Sequence, residues 1–144
     1  MTLGSVLMNV VKYSYPDGMI EHCKVIVADD YEDFDLSAHF EDCFDYIHKH
    51  RTQGHNILVH CQMGISRSST IVIGYLMKYE KMSLKDAYSF VLKRRKCICP
   101  NQGFLKQLFA YEDNLNLQGF KEMADKEAAA VSYTHLTLPT ILRV

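Results

Sequence analysis

The stretch Val59-His60-Cys61-Gln62-Met63-Gly64-Ile65-Ser66-Arg67-Ser68 joins two segments of opposite character. Before it, Asn56 to His60 is a short β-rich run; after it, Ser69 to Tyr79 is an apolar, helix-like run. A strand that feeds a short loop and then a helix N-terminus makes an anion site, because loop and helix N–H groups point at one spot. The cysteine that follows the strand sits in that partial positive charge, which favours S⁻ near neutral pH. Arg67 adds a planar fork matched to two phosphate oxygens. A cation at a helix start opposes the macrodipole, and an anion held between the two resolves the mismatch. These residues describe a nucleophile aimed at a phosphoryl group.

Working outward, Ser5 to Val11 reads as a short buried strand, Tyr15-Pro16-Asp17-Gly18 as a turn and His22 to Val27 as a second strand. Ala28 to Asp35 is a loop dense in acids. Asp35 or Ser37 caps a helix running to about His50, with Phe40, Phe44 and Ile47 on one face, and Gly54 ends that segment. The helix after Arg67 is apolar nearly all round (Ile71, Val72, Ile73, Tyr75, Leu76, Met77) and is read as buried. Ser83 opens the next helix, with Asp86 completing an approximate capping box. The run Lys93-Arg94-Arg95-Lys96 lies near its C-terminus, where cations suit the dipole. After Pro100-Asn101, Phe104, Leu105, Leu108, Phe109, Tyr111 and Leu115 mark a last core helix. Strands separated by helices or long connections indicate an α/β layer fold.

The 144 residues suffice for one domain with a sizeable core, and 48% hydrophobic with 23% charged residues is ordinary for a globular protein. A net charge of −1 argues against bulk nucleic-acid binding, so any phosphate binding is local. No apolar run approaches the roughly 20 residues a membrane span needs, and no signal peptide is legible. The five cysteines are odd in number and irregularly spaced, which fits a reducing compartment better than a disulfide framework. Cytoplasmic or nuclear residence is the corresponding expectation. Cys97-x-Cys99 lacks partners at zinc spacing, so neither a metal nor a cofactor is expected.

With these residues in place, a family resemblance can be stated. His60 to Ser68 matches the H-C-x-x-G-x-x-R-[ST] signature of cysteine-dependent protein phosphatases. Ala28-Asp29-Asp30 with Phe34 to Phe40, Ile73 to Met77, and Pro100 to Leu108 resemble flanking segments of the dual-specificity branch, in its atypical stand-alone form. The resemblance covers about residues 6–117. It implies an α/β cysteine-phosphatase fold: a central mixed sheet flanked by helices, with the phosphate loop between a central strand and a buried helix. It also implies a strand and helix ahead of Ser5, read here as an N-terminal truncation that leaves one sheet edge and part of one face unclad. Residues 1–117 are then the catalytic domain and 118–144 an extension. Its part 131–144 has no clear period and resembles translated vector sequence.

The resemblance assigns roles residue by residue. Cys61 attacks phosphorus and carries a thiophosphate intermediate. Arg67 clamps the equatorial oxygens. Gln62, Met63, Gly64, Ile65 and Ser66 bind the phosphate mainly through backbone N–H groups. Ser68 hydrogen-bonds the sulfur and eases its departure, and His60 supports the loop. The leaving oxygen needs a proton and the attacking water a base. Spacing leaves Asp29, Asp30, Asp33 and Asp35 open; the resemblance selects Asp30, and Asp35 reads as a helix cap. Met63 and Ile65 bring no positive charge to the loop, which suits a singly phosphorylated protein side chain better than an inositol lipid or a 5′-triphosphate RNA. The expected partner is a phosphorylated protein, with no nucleic acid or membrane. The alternative is a non-catalytic module that binds phospho-residues, or an incomplete phosphatase.

Overall fold

The computed structural model describes the backbone of residues 5–9, 22–125 and 142–143, and the side chains of 22–119. Strands β1 (Ser5–Asn9), β2 (His22–Val25), β3 (Asn56–His60) and β4 (Leu142–Arg143) form one sheet in the order β2-β1-β3-β4. The pairings are parallel, with Leu7 opposite both Cys23 and Leu58, and Ile57 opposite Leu142. The expected mixed sheet thus shows only parallel pairings among the described residues. The expected turn at Tyr15 to Gly18 lies outside them, as does the tail apart from Leu142–Arg143.

Strand β2 ends two residues before the expected Val27, because its ladder to β1 ends at the pair Asn9–Val25. The in–out alternation nevertheless continues: Ile26 and Ala28 are buried and Val27 is exposed. A short 3₁₀ turn, Ser37–His39, leads into α1 (Phe40–Thr52). Helix α2 (Arg67–Tyr79) begins at the arginine itself, two residues ahead of the apolar run, and buries every residue from Ser68 to Met77. Helix α3 (Leu84–Arg94) is capped by Ser83, whose hydroxyl accepts from Asp86 N at 3.1 Å. Helix α4 (Gln102–Asp125) is capped by Asn101, whose Oδ1 accepts from Phe104 N at 2.8 Å.

Hydrophobic burial explains this layout. The fully buried Phe40, Phe44 and Ile47 of α1 meet Ile71, Ile73 and Leu76 of α2, and Phe104 and Leu108 of α4 complete the same core. Helix α2 can be apolar all round because α1, α3, α4 and β3 pack against it. Its far end is fixed by a largely buried ion pair. Arg51 at the end of α1 meets Glu80 at 2.5 Å, with side chains only 12% and 7% exposed, and also donates to Tyr75 Oη at 2.8 Å. Removing one partner strands the other charge in a desolvated place. Glu80→Ala is expected to lower the unfolding free energy by about 3 kcal/mol in urea titration. A loss below about 1 kcal/mol would mean that solvent screens the pair as it does at a surface.

Candidate active site

Cys61 follows β3 directly, and 7% of it is exposed. From there the chain wraps around the sulfur. The N–H of Gly64 donates to Cys61 Sγ at 3.2 Å, and Ser68 Oγ, wholly buried in the first turn of α2, lies 3.2 Å from the same atom. Gly64 has φ +66°, a left-handed conformation that glycine adopts without steric cost. A Cβ there would also come within 2.7 Å of the Arg95 guanidinium.

The start of α2 lacks a side-chain cap. Ser66, at the capping position, instead accepts from Asn101 N at 3.0 Å, so its hydroxyl faces away from the helix N–H groups. Ser69 Oγ and Thr70 Oγ1 donate back to Ser66 O at 2.9 and 2.7 Å, which fixes the loop's exit. The uncapped N–H groups keep their partial positive charge for another acceptor. Burial pushes the Cys61 thiol up, but hydrogen bonds from the Ser68 hydroxyl and from backbone N–H groups of Ser68, Gly64 and Ile65 outweigh it, leaving the pKa below the ordinary thiol value. Cys43 is the contrast. Burial, with Asp42 nearby, pushes that thiol up to about 12. Placement, not residue type, sets Cys61 apart.

Arg67 Nη1 donates to Ala28 O at 2.9 Å, at the head of the acidic loop. Its Nε is buried without a hydrogen-bond acceptor among the described residues. A buried guanidinium donor left unsatisfied is costly, and an oxyanion at the loop would satisfy it. His60 Nδ1 lies 3.1 Å from Cys61 O, against the backbone of the next residue. Gln62 and Met63 are exposed at the rim, Met63 to 66%.

Among the acids, Asp30 is tied to the site. Its Oδ1 accepts from Asn101 Nδ2 at 3.0 Å. Asp35 instead accepts from Ser37 Oγ and from Ala38 N at the start of the 3₁₀ turn, whereas α1, which Asp35 or Ser37 was expected to cap, starts after His39 with no side-chain cap. Asp29 and Asp33 are exposed. The start of α4 holds the acidic loop at further points: Gln107 accepts from Ser37 N and donates to Phe34 O, both at 2.8 Å. Gly103 lies so close that a Cβ would sit 1.9 Å from Glu32 O. Asn101 therefore links the acid, through its amide, to the phosphate loop, through its backbone. Sequence reasoning took Pro100 to Leu108 only as a helix and missed Asn101, Gly103 and Gln107 as site builders. Pro100-Asn101 marked where the chain resets ahead of that helix, but not what the residues touch. Among the described residues, no group of three or more His, Cys, Asp or Glu could hold a metal ion.

The model of the dual specificity phosphatase catalytic domain matches residues 4–114. A putative tyrosine phosphatase of Invertebrate iridescent virus 6 is 49% identical over 91 residues, covering 63% of this chain and 64% of the viral protein. Human dual specificity protein phosphatase 5 is 43% identical over 94 residues, covering 65% of this chain and 24% of the relative. The match therefore spans less than two thirds of either relative. A mouse putative dual specificity phosphatase, solved in complex with zinc tungstate, superposes with a TM-score of 0.77 at 29% identity, covering 81% of this chain and 74% of that one. With the strand–loop–helix geometry around Cys61 and the family match across most of its length, this chain belongs to the dual specificity phosphatase catalytic-domain family.

Proposed function

We propose that the chain hydrolyses phosphotyrosine and phosphoserine or phosphothreonine in proteins through a cysteinyl-phosphate intermediate. The observation that carries this reading is the convergence on one buried sulfur of Gly64 N and Ser68 Oγ, beside an arginine whose buried Nε lacks an acceptor among the described residues. In the first step Cys61 Sγ bonds to phosphorus as the ester P–O bond breaks. Asp30 gives its proton to the leaving oxygen, and Arg67 and the loop N–H groups hold the equatorial oxygens. In the second step water attacks phosphorus, Asp30 takes its proton, and the P–S bond breaks. The Ser68 hydroxyl then donates to the departing thiolate. His60 supports the loop from its outer side. The tungstate bound by the mouse neighbour, an oxyanion like phosphate, is in keeping with this reading. The neutral side chains of Met63 and Ile65 favour a singly phosphorylated substrate, and residence in the cytoplasm or nucleus accords with five free thiols.

The test is hydrolysis of an aryl phosphate near pH 6 without added metal. The wild-type chain is expected to turn over and Cys61→Ser to be silent. Equal rates would sink the reading, and phosphopeptide binding without turnover would favour a non-catalytic binding module. Asp30→Asn should slow a phosphoserine peptide by roughly 10²- to 10⁴-fold. It should affect an activated aryl ester far less, because a good leaving group needs no proton. Gly103→Ala should act in the same direction, more weakly, because its methyl displaces the Glu32 backbone two residues from Asp30. Equal slowing of both ester types by either variant would point to a general loss of structure.

A further inference from the structure

The basic run at the end of α3 leaves one member unexplained by helix solvation. Arg94 behaves as a helix-end cation: Nη1 donates to Phe90 O at 3.1 Å and the guanidinium stacks on the Phe90 ring at 3.4 Å. Arg95 does not. Its backbone leaves the helix at φ −140° and ψ 96°, and its side chain turns to the phosphate loop. There Nε donates to Gly64 O at 2.8 Å and Nη2 to Met63 O at 3.2 Å.

Those two carbonyls belong to particular peptide groups. In a trans peptide the C=O of one residue and the N–H of the next point in opposite directions. A guanidinium holding Met63 O outward therefore aims Gly64 N–H inward, and that N–H donates to Cys61 Sγ. Holding Gly64 O outward likewise turns Ile65 N–H inward, toward the sulfur whose pKa it helps to lower. The next peptide is treated alike by a neutral donor, since Cys99 N donates to Ile65 O at 2.8 Å. Three successive loop carbonyls are thus tied from outside by residues 95–99. A cation on two of them also polarises those peptide groups, strengthening their N–H ends as donors.

We propose that Arg95 is a positioning residue of the phosphate loop, acting through the Met63–Gly64 and Gly64–Ile65 peptide groups to aim their N–H groups at the thiolate and at a bound oxyanion. The inference rests on the reading of Cys61 as nucleophile in an oxyanion-binding loop. Arg95 itself contacts neither substrate nor sulfur in this account. Other charged or titratable groups at the loop, among the described residues, include Asp30 through Asn101, His60 beside Cys61, Arg67 at the helix start and Cys99, whose N–H meets Ile65 O.

The test compares wild type, Arg95→Met, Arg95→Lys and Arg94→Met in the full chain. Two readouts are used: the pH midpoint of iodoacetamide alkylation at Cys61, followed by peptide mass spectrometry, and competition of that alkylation by inorganic phosphate. Arg95→Met is expected to raise the midpoint by about half a unit or more and to weaken phosphate protection roughly tenfold. Arg95→Lys, whose ammonium lacks the two-pronged fork, should fall between it and wild type. Arg94→Met should match wild type. An unchanged midpoint and unchanged phosphate protection in folded Arg95→Met would overturn the proposal. If that variant does not fold, Arg95→Lys decides it, and wild-type values in both readouts would overturn it equally. Neither readout needs turnover. A chain inactive on aryl phosphate but shifted by Arg95→Met would refute the enzymatic reading and leave the positioning role standing.

Discussion

Everything at this site depends on one electrostatic constraint: a thiol taken out of water keeps its pKa below the ordinary value only where enough donors face it. Burial alone drives the other way, as Cys43 demonstrates. Cys61 escapes because it lies where a strand ends and a buried helix begins, so the loop between must curl around it. Ser68 supplies a hydroxyl from the first turn of α2, and Gly64 supplies an N–H that its left-handed backbone allows. The rigidity behind them comes from a helix buried from Ser68 to Met77, pinned at its far end by the Arg51–Glu80 pair. The reactive end of α2 and its structural end are parts of one packed object.

A second layer of contacts governs where Asp30 stands. The acidic loop is held in part by the start of α4, through Asn101, Gly103 and Gln107. The same segment reaches the phosphate loop through Asn101 N and Cys99 N. Asp30 and the loop around Cys61 are therefore both held by a third element that supplies neither. A shared scaffold of this kind keeps two groups in fixed relation although each sits on a loop.

Much of this was legible in the chain itself. Strand β3, the buried helix and the cap at Ser83 follow from short-range pattern: a β-rich run, an all-apolar helix, and a side chain that bonds the backbone three residues on. Cys61, Gly64, Arg67 and Ser68 lie within eight consecutive residues, so local spacing already shows them together. Long-range partners were not legible. Nothing in Lys93-Arg94-Arg95-Lys96 distinguishes the arginine that leaves the helix for the loop from the one that stacks on Phe90. Likewise spacing alone left four aspartates of the loop open, and only the structure shows that Asp30 is the one Asn101, 71 residues away, holds. The end of β2 depends on its partner strand, which local propensity does not encode.

The late position of that scaffold in the chain has a consequence for biosynthesis. The nucleophile and the acid are made early, whereas Arg95, Cys99, Asn101, Gly103 and Gln107 are made last among the site's contributors. Synthesis runs from the N-terminus, and domains fold largely as units. A nascent chain on the ribosome therefore exposes Cys61 before the peptide groups around it are braced, when its thiol resembles any other. Until α4 is made, the contacts from Asn101 and Gln107 that hold the acidic loop and the loop around Cys61 cannot form, so the parts of the site come together late in synthesis.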